Sequence, residues 1–164
     1  MKLKPQTTIL LSAFFVLTGI LITWATGLWQ TESDKIPRKL DTLTNQAQQT
    51  QYDPADIRGS YTFGDVSRLF GIPLEDLAAA FQLDAEEAAS FQVKSLEKQF
   101  PDAEFEIGTA SVRMFAAYYL GIAYTPSEET FLLDTAASVL EKSGSMTAEQ
   151  AAYVKSHTAS LAPP

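Results

Sequence analysis

TASVRMFAAYYLG, residues 109 to 121, carries the clearest helical pattern in this chain. Its apolar side chains recur at the i, i+3, i+4, i+7 and i+8 positions of one helix face, as Val112, Phe115, Ala116, Tyr119 and Leu120. Thr109 is a favourable N-cap residue, and Gly121 is a favourable terminator. We therefore predict an amphipathic helix that is capped by Thr109, ends at Gly121 and forms the centre of the hydrophobic core.

Two short helices joined by a tight turn are predicted upstream. Thr62 and Asp65 have the spacing of a capping box, and Gly71 suits the left-handed conformation that ends a helix. Pro73 suits the first turn of the next helix, because proline has no amide hydrogen to lose there. The apolar stripes of the two helices are Phe63, Val66, Leu69 and Phe70, and then Leu74, Leu77, Ala78 and Phe81.

Shorter helical patterns follow this pair. Asp84 is predicted to cap a third helix that runs to Phe91, and a fourth helix stops at Pro101. The next segment, residues 102 to 108, is an acidic loop. We predict that Phe105 and Ile107 in this loop face inward.

Two more helices are predicted towards the end of the chain. Thr125 and Pro126 supply an N-cap and a first-turn proline for a longer helix that ends at Gly144, with Glu128 as its capping-box acid. Thr147, three residues before a glutamine, begins a last and weaker helix.

These patterns together predict an all-α fold. No Asn-Gly hairpin and no sustained alternation of β-branched residues occurs in the sequence, so no strand is predicted. The expected architecture is an N-terminal transmembrane helix plus a compact orthogonal bundle of about six short helices. The bundle covers residues 57 to 158, and residues 159 to 164 form a tail.

An uncharged apolar run precedes the bundle: residues 6 to 29, QTTILLSAFFVLTGILITWATGLW. A membrane-spanning helix needs roughly 20 such residues, so this run is predicted to be a signal-anchor helix in the lipid bilayer. Lys2 and Lys4 precede it, and the positive-inside rule then leaves residues 1 to 5 in the cytoplasm as a short tip.

The remaining chain is then extracytoplasmic, in a protein that crosses the cell membrane once. Residues 30 to 56 are polar and nearly free of apolar periodicity, which predicts a flexible stalk. A cleaved signal peptide and a helix buried in a soluble protein remain alternatives for the apolar run.

Composition limits the partners and the chemistry. The 164 residues include 12 basic and 20 acidic ones. Lys2 and Lys4 precede the apolar run and no acidic residue does, so the exported part has 10 basic and 20 acidic residues. Such a surface repels nucleic acid and suits a cationic partner. The chain has no cysteine, which excludes disulfides, thiol catalysis and cysteine-ligated metal within it.

No constellation of residues points to catalysis. His157 is the single histidine and is predicted to be exposed to solvent, which argues against a catalytic triad. The acidic clusters at 84 to 87 and 102 to 106 lack the spacing of a calcium loop. Residues 62 to 77 have helix-turn-helix spacing, but Glu75 and Asp76 would repel phosphates. We predict a protein that is not an enzyme, needs no cofactor or metal and binds no nucleic acid.

Tyrosine and arginine are enriched where proteins bind proteins, and several lie off the predicted apolar stripes. We predict a partner-binding patch formed by Arg58, Tyr61, Arg113, Tyr118 and Tyr124.

The phrases IRGSYTFGDVSRLF (57–70), GIPLEDLAAAF (71–81), FQVKSL (91–96) and EIGTASVRMFAAYYLG (106–121) resemble a small helical domain of bacterial proteins. That domain occurs behind a single membrane anchor or joined to membrane-bound 4Fe-4S proteins of the polyferredoxin, quinol-dehydrogenase type. The resemblance covers residues 55 to 124 and implies an accessory role beside a membrane electron-transfer complex.

Two functions are therefore expected. The first is a non-catalytic interaction module that docks on a membrane protein, and the second is an extracytoplasmic small-ligand-binding or sensor domain. A filled core with an exposed Tyr/Arg patch favours the first, whereas a sizeable apolar pocket favours the second.

Overall fold

The computed structural model describes residues 14–18, 36–40, 51–101, 105–127 and 129–159. The chain divides into two compact units, Met1–Lys35 and Ile36–Pro164. In the first unit, residues 14–18 are helical; the rest of the predicted anchor, residues 6 to 29, lies outside the described residues. Within the described ranges, no helix has both the length and the apolar character that a membrane crossing requires.

The second unit is mostly helical, as predicted. Its described α-helices are α1 (Phe63–Phe70), α2 (Leu74–Ala80), α3 (Leu96–Gln99), α4 (Thr109–Tyr119), α5 (Asp134–Ser143) and α6 (Ala148–Ser156). Single 3-10 turns cover Pro54–Asp56, Ala88–Ser90 and Val93–Ser95. Two short strands, β1 (Leu132–Leu133) and β2 (Thr158–Ala159), complete the described structure.

The capping signals at both ends of α1 are confirmed. The Asp65 amide donates to Thr62 Oγ1 over 3.1 Å, and the Thr62 amide donates to an Asp65 carboxylate oxygen over 3.1 Å. Gly71 ends the helix with φ of 69°. Helix α2 begins one residue later than predicted, because Pro73 is its N-cap rather than a residue of its first turn.

Helix α4 forms the centre of the core, and its burial exceeds the prediction. Gly108 rather than Thr109 is its N-cap, and Gly121 follows the helix with φ of 67°. Seven of its eleven residues are buried, including Met114 and Tyr118, which lie off the predicted stripe. A helix that is apolar on nearly all sides belongs in the middle of a core, with other elements around it.

The predicted third helix is wrong. Residues 84 to 91 form a turn followed by the 3-10 turn Ala88–Ser90, with no α-helix. Asp84 Oδ1 accepts the Glu86 amide over 2.8 Å, which stabilises a local turn in place of helix.

The longer helix predicted from Thr125 begins only at Asp134. Residues 122 to 127 have no regular structure, and Glu128 lies outside the described residues. Instead, β1 pairs in parallel with β2, with Leu132 opposite Thr158 and Leu133 opposite Ala159. The prediction of no strand is therefore wrong, since two-residue strands are too short to produce an alternating pattern.

The end of the chain is more structured than predicted. The capping box of α6 is confirmed, with the Gln150 amide donating to Thr147 Oγ1 over 3.2 Å and the Thr147 amide donating to Gln150 Oε1 over 2.9 Å. Ala159, assigned from sequence to a free tail, is buried in β2. The rest of that tail, residues 160 to 164, lies outside the described residues.

Part of the predicted stalk packs on the domain, since the Tyr52 ring lies against the Phe70 ring of α1 with centroids 6.3 Å apart. The Leu40 amide donates to the Gln51 carbonyl over 2.7 Å, and the Asp53 amide donates to the Arg38 carbonyl over 2.8 Å. Arg38 also pairs with Asp56 through two hydrogen bonds of 3.1 and 3.3 Å, and this guanidinium holds the pKa of the carboxyl below its usual range. Residues 30–35 and 41–50 of the predicted stalk lie outside the described residues.

A glycine in α1 allows the closest backbone approach in this region. A Cβ placed on Gly64 would lie 2.6 Å from the Ala89 carbonyl oxygen, which belongs to the backbone and cannot rotate away. Gly64→Ala is therefore expected to lower the free energy of unfolding by about 1–3 kcal/mol, although alanine favours helix. Urea denaturation of the full chain in detergent measures this change.

Gly71→Ala is the matched control for this substitution. Its Cβ would meet no atom within 4 Å, so only the left-handed backbone opposes it, and a cost of about 1 kcal/mol is expected. A Gly64→Ala variant at least as stable as the parent would contradict the packing of α1 against Ala88–Ser90.

Candidate functional site

Two of the five predicted partner-binding residues belong to the core. Tyr61 is fully buried, and Tyr118 is 2% exposed, so neither side chain contributes to a surface patch. Burial raises the pKa of the Tyr118 hydroxyl to about 12. The sequence predicts one apolar stripe on this helix, and Tyr118 lies off that stripe. In the structure the face of α4 that carries Tyr118 is buried as well.

The other three residues lie nearer the surface. Arg58 is exposed, whereas Arg113 and Tyr124 are half-buried. Arg113 Nε donates to the Ile57 carbonyl over 2.7 Å, so this guanidinium links α4 to the segment that precedes α1. The surface that remains from the predicted patch is therefore centred on Arg58.

The buried Tyr61 hydroxyl has an unusual environment. Among the described atoms it has no hydrogen-bond partner, and burial raises the pKa of this hydroxyl. The Tyr119 hydroxyl provides the contrast, because it donates to a carboxylate oxygen of Asp76 over 2.5 Å and so joins α4 to α2.

Sequence reasoning missed a groove between the 83–91 segment and α3. We call it the α3 groove; it has a volume of about 490 Å³. Its lining consists of Leu83, Asp84, Glu87, Ala88, Phe91, Ser95, Lys98 and Gln99.

The α3 groove has an apolar floor and charged rims. Leu83 and Phe91 are half-buried and Ala88 is fully buried, whereas Asp84 and Glu87 are exposed on one side and Lys98 is exposed on α3. Asp84, Ala88 and Phe91 have the helical spacing that predicted a third helix. The same three residues instead line one groove, because the chain forms turns between them.

Gln82, which precedes the lining residue Leu83, is the one described non-glycine residue with a positive φ, at 53°. Gln99 Nε2 donates to the Gln82 carbonyl over 3.3 Å and so connects α3 to the end of α2. The Leu83 amide donates to the Ala78 carbonyl over 2.9 Å, so the left-handed Gln82 is part of the turn that ends α2.

A second feature is a row of four neighbouring rings, of which the two outer pairs are stacked and the middle pair is tilted by 40°. The ring centroids of Phe105 and Phe131 are 3.5 Å apart, those of Phe131 and His157 are 5.3 Å apart, and those of His157 and Tyr153 are 3.8 Å apart. His157 is therefore half-buried between two rings, which corrects the prediction that it is exposed. Its Nδ1 lies 3.0 Å from the Tyr153 carbonyl and 2.9 Å from Ser156 Oγ.

Neither feature contains a recognisable catalytic or metal-binding arrangement. In the part of the chain that the structure describes, no three acidic or histidine side chains come close enough to hold a metal ion. The α3 groove is thus a candidate for binding, with apolar surface for affinity and a few charged groups for orientation.

No protein-family model matches the chain, and neither curated proteins nor solved structures provide a significant match.

The two tyrosine hydroxyls lead to opposite expectations. Tyr61→Phe removes a buried hydroxyl without a described partner, so the free energy of unfolding is expected to stay the same or rise by up to about 1 kcal/mol. Tyr119→Phe removes the hydrogen bond to Asp76 and is expected to lower the free energy of unfolding by about 1–2 kcal/mol. Equilibrium denaturation of both variants tests the difference. A loss for Tyr61→Phe equal to that for Tyr119→Phe would mean that the Tyr61 hydroxyl is hydrogen-bonded.

Proposed function

We propose that this chain is a membrane-anchored, non-catalytic interaction module whose helical domain lies on the extracytoplasmic side. The observation that carries the proposal is the exposure of the apolar helical segment in the first unit. Phe14, Phe15, Val16 and Leu17 expose 65%, 68%, 62% and 61% of their surfaces.

Four consecutive helical positions point to all sides of a helix, because each residue is rotated by about 100° from the last. An apolar helix exposed on every side is unfavourable in water, at about 25 cal/mol per Å² of apolar surface, and is favourable in hydrocarbon. The segment also lies within residues 6 to 29, where no charged side chain occurs. These properties support a transmembrane helix there.

The polar group within this segment is consistent with lipid surroundings. Thr18 Oγ1 donates to the Phe14 carbonyl, four residues earlier, over 2.7 Å. In hydrocarbon a hydroxyl has no water to bind, so a backbone carbonyl of the same helix is the available partner.

The charge distribution supports the orientation. Lys2 and Lys4 precede the apolar run, and the chain beyond it has 10 basic and 20 acidic residues. The positive-inside rule then favours a cytoplasmic N-terminus and an extracytoplasmic helical domain. The sequence resemblance adds a finer proposal, an accessory role beside a membrane electron-transfer complex.

A well-filled domain supports an interaction role. Its core includes Tyr61, Phe63, Phe81 and Phe115, all fully buried, so large aromatic side chains fill the interior. The α3 groove is the specific observation that favours the second candidate function, an extracytoplasmic small-ligand-binding domain.

Charged residues placed in the apolar run test the anchor. The double substitution Phe15→Lys with Val16→Lys is expected to shift the chain from carbonate-washed membranes into the soluble fraction. Each lysine near the centre of a spanning helix costs about 2.5–3.5 kcal/mol on insertion.

Ile36→Lys is the matched control, since Ile36 is 63% exposed but lies beyond the run. This variant is expected to remain in the membrane. Protease added to intact cells is expected to digest the parent protein beyond Trp29, and protection of the domain until lysis would overturn the proposed side.

Site-specific photocrosslinking tests the interaction. A photoreactive amino acid in place of Arg58 is expected to form an adduct with a second membrane protein in native membranes, because arginine is enriched at protein interfaces. The same group in place of exposed Glu141 is the control and is expected to give no such adduct. Adducts only with this chain itself, or equal adducts from both positions, would contradict docking through the Arg58 surface.

A further inference from the structure

We propose that the α3 groove binds a small amphipathic amine, with its apolar body on the floor of Leu83, Ala88 and Phe91 and its ammonium group against Asp84 and Glu87. This inference concerns a different surface from the Arg58 region and does not depend on the anchor or on a protein partner.

The size and floor of the groove suit a small organic molecule. Its volume, about 490 Å³, lies within the roughly 300–1,000 Å³ range of ligand sites. The floor presents one aromatic and two aliphatic side chains. An aromatic face beside carboxylates attracts an ammonium group both through its π-electrons and through the neighbouring negative charges.

The aromatic part of the floor is held in place before any ligand binds. The Phe91 ring contacts the buried Phe63 ring, with centroids 6.1 Å apart. The Phe63 amide also donates to the Phe91 carbonyl over 3.0 Å. A fixed ring loses little conformational freedom on binding, which favours affinity.

The carboxylates of Asp84 and Glu87 belong to a single turn of the chain. The Glu87 and Ala88 amides both donate to the Asp84 carbonyl, over 3.2 and 2.8 Å, which keeps Asp84 and Glu87 close in the chain and in space. One Asp84 oxygen accepts the Glu86 amide, and the Glu87 carboxylate has no hydrogen bond to another described residue. Carboxylate oxygens therefore remain available for the hydrogens of an ammonium group.

The opposite side of the groove sets a second condition on the ligand. Lys98 on α3 carries a positive charge, so a molecule with cations at both ends would be repelled there. Gln99 on the same helix and Ser95, which ends the 3-10 turn just before it, supply polar groups. The ligand class is thus a monoamine with an apolar body, and its far end is neutral or carries an acceptor.

Gln82 connects the acidic side of the groove to α3. Gln82 precedes Leu83 and Asp84, and its carbonyl accepts the hydrogen bond from Gln99 of α3. This bond joins the acidic rim to the helix that carries Lys98.

Three probes with the same phenyl and two-carbon frame test the inference: phenethylammonium, 2-phenylethanol and 3-phenylpropionate. The full chain in a zwitterionic lipid nanodisc is titrated with each, and amide NMR shifts are followed. Phenethylammonium is expected to bind about tenfold more tightly than the alcohol, and the anion least tightly, with shifts confined to residues 82 to 99. Higher salt is expected to weaken only the binding of the cation.

Two substitutions separate the groove from the general negative charge of the chain. Glu87→Gln is expected to lower the affinity for phenethylammonium by about threefold to tenfold and to leave the alcohol unchanged. Glu141→Gln, an exposed carboxylate that does not line the groove, removes the same charge and is expected to change neither affinity.

Equal binding of the three probes, or equal losses in Glu87→Gln and Glu141→Gln, would overturn the proposal. Amide NMR shifts centred on α6 or on the Arg58 region would also overturn it. Failure of the membrane or crosslinking experiments would count against the anchor or the protein partner and would leave the amine-binding results unaffected.

Discussion

The burial of α4 on nearly every side is the constraint on which the described domain depends. Because most of this helix is apolar or small, it cannot lie on a surface, and other elements have to cover it. Helix α5 and the 3-10 turn Pro54–Asp56 pack against it, and Tyr119 joins it to Asp76 of α2. Arg113 reaches out of the same helix to the backbone of Ile57.

Covering α4 requires backbone pairings that bring distant segments together. The segment before α1 pairs with the segment after the 3-10 turn Ala88–Ser90: Val93 donates to the Tyr61 carbonyl over 2.9 Å, and Lys94 to the Gly59 carbonyl over 3.0 Å. At the other end of the chain, β1 and β2 pair in parallel. These contacts satisfy buried backbone groups that short helices leave unpaired.

The proposed functions use different parts of this chain. The membrane proposal depends on the exposed apolar side chains of residues 14 to 17, whereas the amine-binding proposal depends on a gap left between short elements of the domain. The gap exists because residues 84 to 91 form turns rather than a helix, which leaves Leu83 and Phe91 only half-covered. The charges around it follow from the strongly acidic composition of the chain beyond residue 29, with Lys98 as a local exception.

Local signals predicted those elements whose stabilising contacts lie within a few residues. The capping boxes of α1 and α6, the left-handed Gly71 and the helical character of 109 to 121 all depend on neighbours in sequence, and all are confirmed. Thr125 and Pro126 carried an equally good start signal, but no helix forms there. The chain from Thr125 instead leads to β1, whose partner β2 is more than twenty residues away.

The sequence by itself determined the helical class, the uncharged apolar run, the acidic balance and the main helix of the core, since composition and short-range periodicity encode these properties. Only the tertiary structure decided that Tyr61 and Tyr118 are buried, that His157 lies within a row of rings, and that Asp84, Phe91 and Lys98 surround one groove. The physical reason is that burial and proximity are set by segments packing from elsewhere in the chain, and no local pattern records which segments those are.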